Sequence, residues 1–371
     1  MHQRYNVWQE LYSCSTVHLL FVMILLSTML LPGVNTAQAA RFAIGLIGDL
    51  PYSPEDEAKF PKLMQAMNQA NLAFVVHIGD IEWSPRGYQA GKPGSPPCTD
   101  QMFAERKRLF QTSRHPFILL PGDNDWTDCH GTPSLTDPIE RLHKLREVFY
   151  PNNRSLGQRT RPLTRQSADP RYAKFPENVR WSHGEILFAT VHIVGSNNNR
   201  GHTPAGDIEY AERNAANLAW LKQSFALAKR NAYKGMMILT HANPYFEDRW
   251  SPIRRQSLHI VPPETTEASG YDDFLDSLTA EVIAFDKPVA LVHGDTHYFR
   301  VDKPLSDTAK RRLIEDFTRV EVFGSPYIHW VRAIVDPDNP QVFTFIPEIV
   351  PQNRVDHRSR KTADDASRNG Q

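Results

Sequence analysis

The chain has 371 residues, 40% hydrophobic and 23% charged, with 42 basic side chains against 42 acidic ones. That length and composition exclude a bare peptide, a disordered chain, a collagen-like repeat and a polytopic membrane protein, and they leave room for one large domain or two ordinary ones. Zero net charge excludes a global field that would draw the protein to nucleic acid or anionic lipid; no specific nucleic-acid surface is evident, and any partner has to be recognised locally.

Arg4 precedes an apolar run from Val17 to Leu31, which leads into Pro32-Gly33 and Ala37-Gln38-Ala39. This is the order of a secretory signal peptide, and the run falls short of the roughly 20 residues needed to span a bilayer. Residues 1–39 are expected to be a leader, which implies a secreted or periplasmic protein with no stable membrane insertion after cleavage. A retained N-terminal anchor is the competing reading. Cys14 leaves with the leader, and the remaining even pair, Cys98 and Cys129, suggests a disulfide in an exported chain, with two free thiols as the alternative.

From Phe42 onward short apolar runs alternate with amphipathic stretches, the pattern of an α/β domain. A strand over Phe42–Ile47 ends at Gly48-Asp49, and a helix is expected from Pro54 to Asn71. The run from Leu72 to Ile78 ends at Gly79-Asp80, after which residues 84–97 form a Pro- and Gly-rich loop. A helix over 101–113 precedes the run Phe117–Leu120, which ends at Pro121-Gly122-Asp123-Asn124-Asp125, and another helix covers 136–149.

Residues 151–180 carry seven basic side chains against Asp169 and Glu177 and read as a solvated surface excursion rather than a substrate-steering loop. The apolar run 186–194 leads into Gly195-Ser196-Asn197-Asn198-Asn199-Arg200, which should also reach the open end of the sheet and reads as an Asn-rich turn, with substrate binding as the alternative. Apolar residues at steps of three and four predict a helix over 207–230 capped by Asp207. The strand over 236–239 ends at Thr240-His241; after a helix over 271–285, the strand over 289–292 ends at His293-Gly294-Asp295-Thr296-His297. Three β-rich runs follow over 319–323, 328–335 and 341–346, and residues 351–371 read as a polar, disordered tail. No internal repeat or second-domain boundary is evident, so 40–350 is taken as one domain. His77 and His192 sit in strand-like runs and read as core residues, while His293 fits a core or a ligand-orienting role equally.

Five strand ends therefore carry ligand-type side chains: Asp49, Asp80, Asp123 with Asn124, His241, and Asp295 with His297. Ligands of open α/β sheets bind beyond the carboxyl ends of strands. Carboxylates gathered there repel one another unless cations neutralise them, and paired divalent ions are a standard device for in-line displacement at phosphorus. There is no Gly-x-Ser-x-Gly elbow, Walker loop, Gly-x-Gly-x-x-Gly or zinc-finger cysteine spacing to support a competing chemistry.

The ordered blocks Gly48-Asp49, Gly79-Asp80, Gly122-Asp123-Asn124-Asp125, His241 and Gly294-Asp295-Thr296-His297 resemble those of the calcineurin-like metallophosphoesterases, a superfamily that includes the purple acid phosphatases. The resemblance implies a four-layer α/β/β/α sandwich and a dinuclear site at which a metal-bound hydroxide attacks phosphorus. Position by position it implies metal ligation by Asp49, Asp80 as the bridge, Asp123 or Asn124 from the third block, His241, Asp295 and His297. Pro51 stands where many members have a histidine, with Tyr52 beside it as a possible phenolate donor. Trp83 stands where the purple phosphatases place their tyrosine ligand, so a purple centre of that kind is not expected.

Asn124 stands at the histidine that protonates the leaving group, leaving Asn124 to bind the phosphoryl group and Asp125, His130 or bound water to supply a proton. Asp123 and Asp295 replace neutral ligands with anionic oxygens, which favours Mn²⁺, Mg²⁺ or iron over Zn²⁺. Asn243 and Arg300 are candidate phosphate contacts. The expected function is hydrolysis of a phosphorylated small molecule or a phosphodiester; the rival is a secreted, non-catalytic binding protein that keeps the fold.

Overall fold

Alternation of apolar side chains along each strand decides which of its faces meets which layer. The computed structural model describes residues 41–84, 96–131, 136–246, 269–307, 309–310 and 312–356. The expected leader, most of the 84–97 loop, the side chain of His130 and residues 357–371 lie outside the described residues.

In chain order the elements are β1 (Phe42–Ile47), α1 (Pro54–Gln69), β2 (Val75–His77), α2 (Asp100–Phe110), β3 (Phe117–Leu119), α3 (Pro138–Phe149), β4 (Thr164–Arg165), β5 (Val179–His183) and β6 (Ile186–Thr190). They continue with α4 (Pro204–Arg230), β7 (Gly235–Leu239), α5 (Asp272–Phe285), β8 (Val289–His293), β9 (Arg300–Asp302), β10 (Ser306–Asp307), β11 (Arg312–Leu313), β12 (Phe317–Glu321), β13 (Trp330–Val335) and β14 (Phe343–Glu348). One sheet runs β14-β13-β1-β2-β3 and the other β4-β5-β6-β7-β8-β12-β9. β1, β2 and β3 are mutually parallel, as are β6, β7, β8 and β12.

Ile44, Leu46, Val76 and Ile118 of the first sheet pack against Phe188, Met237, Leu239, Ala290 and Val292 of the second. The alternate residues of the first sheet, Ile47, Val75, Phe117 and Leu119, meet Phe60 and Leu63 of α1, Phe103 and Phe110 of α2 and Leu145 and Phe149 of α3. On the second sheet Met236, Ile238, Val289 and Leu291 turn toward Trp220 and Phe225 of α4 and Phe274 and Leu278 of α5. The result is the four-layer α/β/β/α sandwich that the family resemblance implies. Each fully buried aliphatic or aromatic side chain of these layers contributes about 1.5–3 kcal/mol.

Several local expectations are corrected. α4 begins three residues earlier than its apolar spacing suggests, because Thr203 rather than Asp207 is its N-cap: Thr203 Oγ1 accepts from Gly206 N (2.9 Å) and Pro204 opens the first turn. Asp207 instead accepts from Gly201 N at 2.7 Å. Residues 151–180 are a solvated excursion only in part: Arg154, Arg159, Arg171 and Lys174 are exposed, whereas buried Arg165 donates to the Asn152 carbonyl, the Arg161 guanidinium lies over Phe74 and Trp181, and β4 joins the second sheet. Past β14, Pro351–Asn353 forms a short 3-10 turn whose Asn353 Nδ2 donates to Lys59 O and Ile328 O, so the chain is still packed where the tail was expected to begin. Among the described residues no helix is long and apolar enough to cross a membrane.

Candidate metal centre

The loops after β1, β2, β3, β7 and β8 converge because they hydrogen-bond to one another. Asp49 N donates to Gly79 O (2.9 Å), Asn124 N to Asp80 Oδ1 (3.1 Å), Asp295 N to Asp49 Oδ1 (3.0 Å) and Asn243 N to Asp295 Oδ2 (3.1 Å). The sharp exits from the strands put Asp49, Asp80, Asp295 and His297 in the left-handed region, with φ of 55°, 56°, 77° and 59°. Asp and His tolerate this region better than most residues, and such backbone concentrates at functional sites. Gly122 is required by close approach, since a Cβ there would sit 2.0 Å from Asp80 Oδ1.

The two histidines are aimed in the same way. His241 Nδ1 donates to Ile78 O (3.0 Å), which leaves Nε2 2.9 Å from Asp123 Oδ1 and 3.3 Å from Asp80 Oδ1. His297 Nδ1 donates to Ser325 O (2.8 Å), which leaves Nε2 3.8 Å from Asp49 Oδ1. A carbonyl can only accept, so each Nδ1 carries the proton and each Nε2 faces the carboxylates, the orientation a metal-binding histidine needs. Asp49, Asp80 and His241 bring one donor atom each within 4.8 Å of one another, and Asp123, His241 and Asp295 do the same.

The electrostatics leave room for cations. Burial pushes Asp49 up to about 8, and burial together with Asp123 pushes Asp295 up to about 7. Burial also holds Asp80 well above the usual carboxylate range. Against the cost of burial, Asp80 and Asp123 hold the His241 imidazole well above its ordinary value, and the His241 hydrogen bond in turn keeps Asp123 low. Asp49 Oδ2 is fully buried and has no hydrogen-bond partner among the described residues. An orphaned carboxylate oxygen among acidic neighbours and two oriented imidazoles fits a divalent-ion site.

Other expected site residues have different surroundings. Asp125 is fully buried; its oxygens accept from Gly122 N (2.7 Å), Ile81 N (2.8 Å) and Asp80 N (3.2 Å). It therefore braces two site loops, and burial pushes its carboxyl up to about 6. Asn124 is brought to the cluster, but its Nδ2 donates to Glu82 O (3.1 Å) and Tyr52 Oη (3.3 Å). Arg300 is ion-paired with buried Glu321 (2.8 Å), so its charge is already matched within the fold, and the Asn243 amide oxygen accepts from Tyr245 N. His77 and His192 are core residues: His77 donates to Leu50 O, and His192 bonds to Glu177 at 2.8 Å. His293 is fully buried behind the cluster.

Sequence reasoning brings residues 195–200 to the open end of the sheet but gives Ser196 no partner there, and it misses Glu321. Ser196 Oγ lies 2.9 Å from Asp123 Oδ2 and 2.8 Å from Asp128 Oδ1. It belongs to a run of four left-handed residues, Ser196 to Asn199, held by buried Arg213, which donates to Asn198 Oδ1 and Asn198 O. Glu321 accepts from Thr296 Oγ1 and Tyr298 N and so fixes the loop that carries Asp295 and His297. A serine before three asparagines and a glutamate in a β-run carry no spacing signal that singles them out.

No family model matches this chain, and no curated protein does. Among solved structures, similar chains include PhoD, at 12% identity over 81% of this chain and 65% of that one, with a TM-score of 0.49. The 5'-nucleotidase of Candida albicans matches at 10% identity over 84% of this chain and 52% of that one, with a TM-score of 0.38. Vacuolar Protein Sorting 29 of Cryptosporidium parvum matches at 13% identity over 83% and 97%, with a TM-score of 0.27. This chain thus spans about two thirds and one half of the lengths of the first two.

Proposed function

We propose that this chain is an exported, metal-dependent phosphoester hydrolase that acts on phosphorylated small molecules or phosphodiesters. The observation that carries the reading is the paired orientation of His241 and His297, each with Nδ1 on a backbone carbonyl and Nε2 turned toward buried carboxylates. Asp49, Asp80 and His297 would hold one ion, and Asp80, Asp123, His241 and Asp295 the other, with Asn124 reaching either through its oxygen alone. Two bound divalent ions would supply an activated water and an electrophilic clamp on the phosphoryl oxygens. Five oxygen-bearing side chains against two nitrogens favour Mn²⁺, Mg²⁺ or iron over Zn²⁺. Export is supported by the leader-like N-terminus and by the Cys98–Cys129 disulfide.

Asn124 has no proton to give and Asp125 is spent on backbone amides, so the side chains at the third strand end supply no leaving-group acid. General acids contribute about 10²–10⁴-fold to such reactions, so aryl monoesters and aryl diesters should be turned over at least about 100-fold faster than alkyl monoesters. Steady-state assays with added Mn²⁺ test this. Equal rates on aryl and alkyl esters would contradict the missing acid; no metal-stimulated hydrolysis of any ester would favour the binding-protein reading.

The raised carboxyls also fix a pH dependence. Protons compete with metal at Asp49 up to about pH 8 and at Asp295 up to about pH 7, so apparent Mn²⁺ affinity should rise from pH 6 to 8 and level off above it. Titration calorimetry at pH 7 in two buffers of different ionisation enthalpy should detect proton release on loading, whereas an affinity flat across this window would contradict the assignment. Because folded, metal-free Asp49 and Asp295 keep protons that the unfolded chain gives up near pH 4, their contribution to stability should fall as pH rises from about 4 to 8.

A further inference from the structure

The sequence offers Tyr52, beside Pro51, as a possible phenolate donor, and the structure places its hydroxyl within the cluster. Tyr52 Oη donates to Asp80 Oδ2 at 2.8 Å, stands 3.3 Å from His297 Nε2 and accepts from Asn124 Nδ2 at 3.3 Å. Its backbone is pinned at the start of α1, where Tyr52 N donates to Asp56 Oδ2 (3.0 Å) and Ser53 caps the helix. The ring is wedged edge-on between Trp83 and His297, with centroids 6.1 and 5.2 Å away. The hydroxyl is therefore held in place by packing on both sides.

We propose that Tyr52 is a protein ligand of the ion shared by Asp49, Asp80 and His297, a position left short of a donor because Pro51 has no side-chain donor atom. Donors about 2.1 Å from one metal and at right angles to each other are about 3 Å apart, somewhat more in a tetrahedral site. The spacings of Tyr52 Oη to Asp80 Oδ2 and to His297 Nε2 bracket that value. Asp80 is shared by both ions, so it is the His297 spacing that joins the phenol to the Asp49–Asp80–His297 ion, and the phenol gives that ion four protein donors, as the other has. The assignment rests on the two-metal reading above.

The test compares the wild-type chain with Tyr52→Phe, which removes one oxygen from a ring packed on both sides, and with Tyr52→His, which restores a donor. Each is stripped with chelator and titrated with Mn²⁺ by calorimetry, then loaded with ferric ion for visible spectroscopy and for elemental analysis by mass spectrometry. The wild type should bind two equivalents and show a phenolate-to-iron charge-transfer band. Tyr52→Phe should lose the band and bind one of the two ions at least about tenfold more weakly, and Tyr52→His should recover affinity without the band. Two ions bound by Tyr52→Phe with unchanged affinity, or no band in the ferric wild type, would overturn the ligand role and leave the two-metal reading standing. A wild type that binds no metal would overturn both.

Discussion

Replacing Asp80 with Ala should reduce metal binding to one ion or none and lower phosphoester hydrolysis by roughly a thousandfold or more, the scale expected when an enzyme loses its metal clamp. Asp80 turns one oxygen toward each proposed ion position: Oδ1 lies 3.3 Å from His241 Nε2, and Oδ2 is 2.8 Å from Tyr52 Oη, which adjoins His297. Its replacement removes a donor from both. Unaltered turnover in Asp80→Ala would contradict the shared-ligand role. A lower melting point with retained metal would show instead that Asp80 holds the fold.

Reducing the Cys98–Cys129 bond should cost roughly 3 to 4 kcal/mol for a loop closed over 31 residues, or about 5–10 °C in melting temperature for a domain of this size. The effect should reach the metal centre. Both sulfurs lie about 4 Å from the Asn124 carbonyl, and Cys98 N donates to both oxygens of Glu82, two residues past Asp80. The bond thus ties the loop after β2 to the loop after β3, the two that present Asp80 and Asp123. Melting curves with and without a phosphine reductant, read with metal content, test this. A Cys98→Ser/Cys129→Ser chain that melts with the wild type and keeps its metal would contradict it.

The layers were legible because their signal is local and periodic. Continuous apolar runs over 236–239 and 289–292, three-and-four spacing in 207–230 and polar residues at each strand exit can all be read without knowing the fold. The same exits named Asp49, Asp80, Asp123, Asn124, His241, Asp295 and His297, and the folded chain brings all of them together.

What escaped was set by long-range partners. Asp125 looks like its neighbours in sequence, and only its backbone amide donors from Ile81 and Gly122 reveal a brace. Arg300 reads as a free cation until Glu321, 21 residues on, appears beside it. Within the basic stretch 151–180, the sequence does not show that Phe74 and Trp181 flank Arg161 while Arg154, Arg159, Arg171 and Lys174 stay exposed. Tyr52 needed the convergence of three loops before its hydroxyl had an address.

Elemental analysis of the chromatographically pure protein by mass spectrometry tests the central claim most directly. The account predicts close to two equivalents of manganese or iron, or of magnesium after supplementation, per chain that retains its disulfide. A folded chain that holds no divalent metal even after supplementation would contradict it and leave the strand-end carboxylates as part of a binding surface.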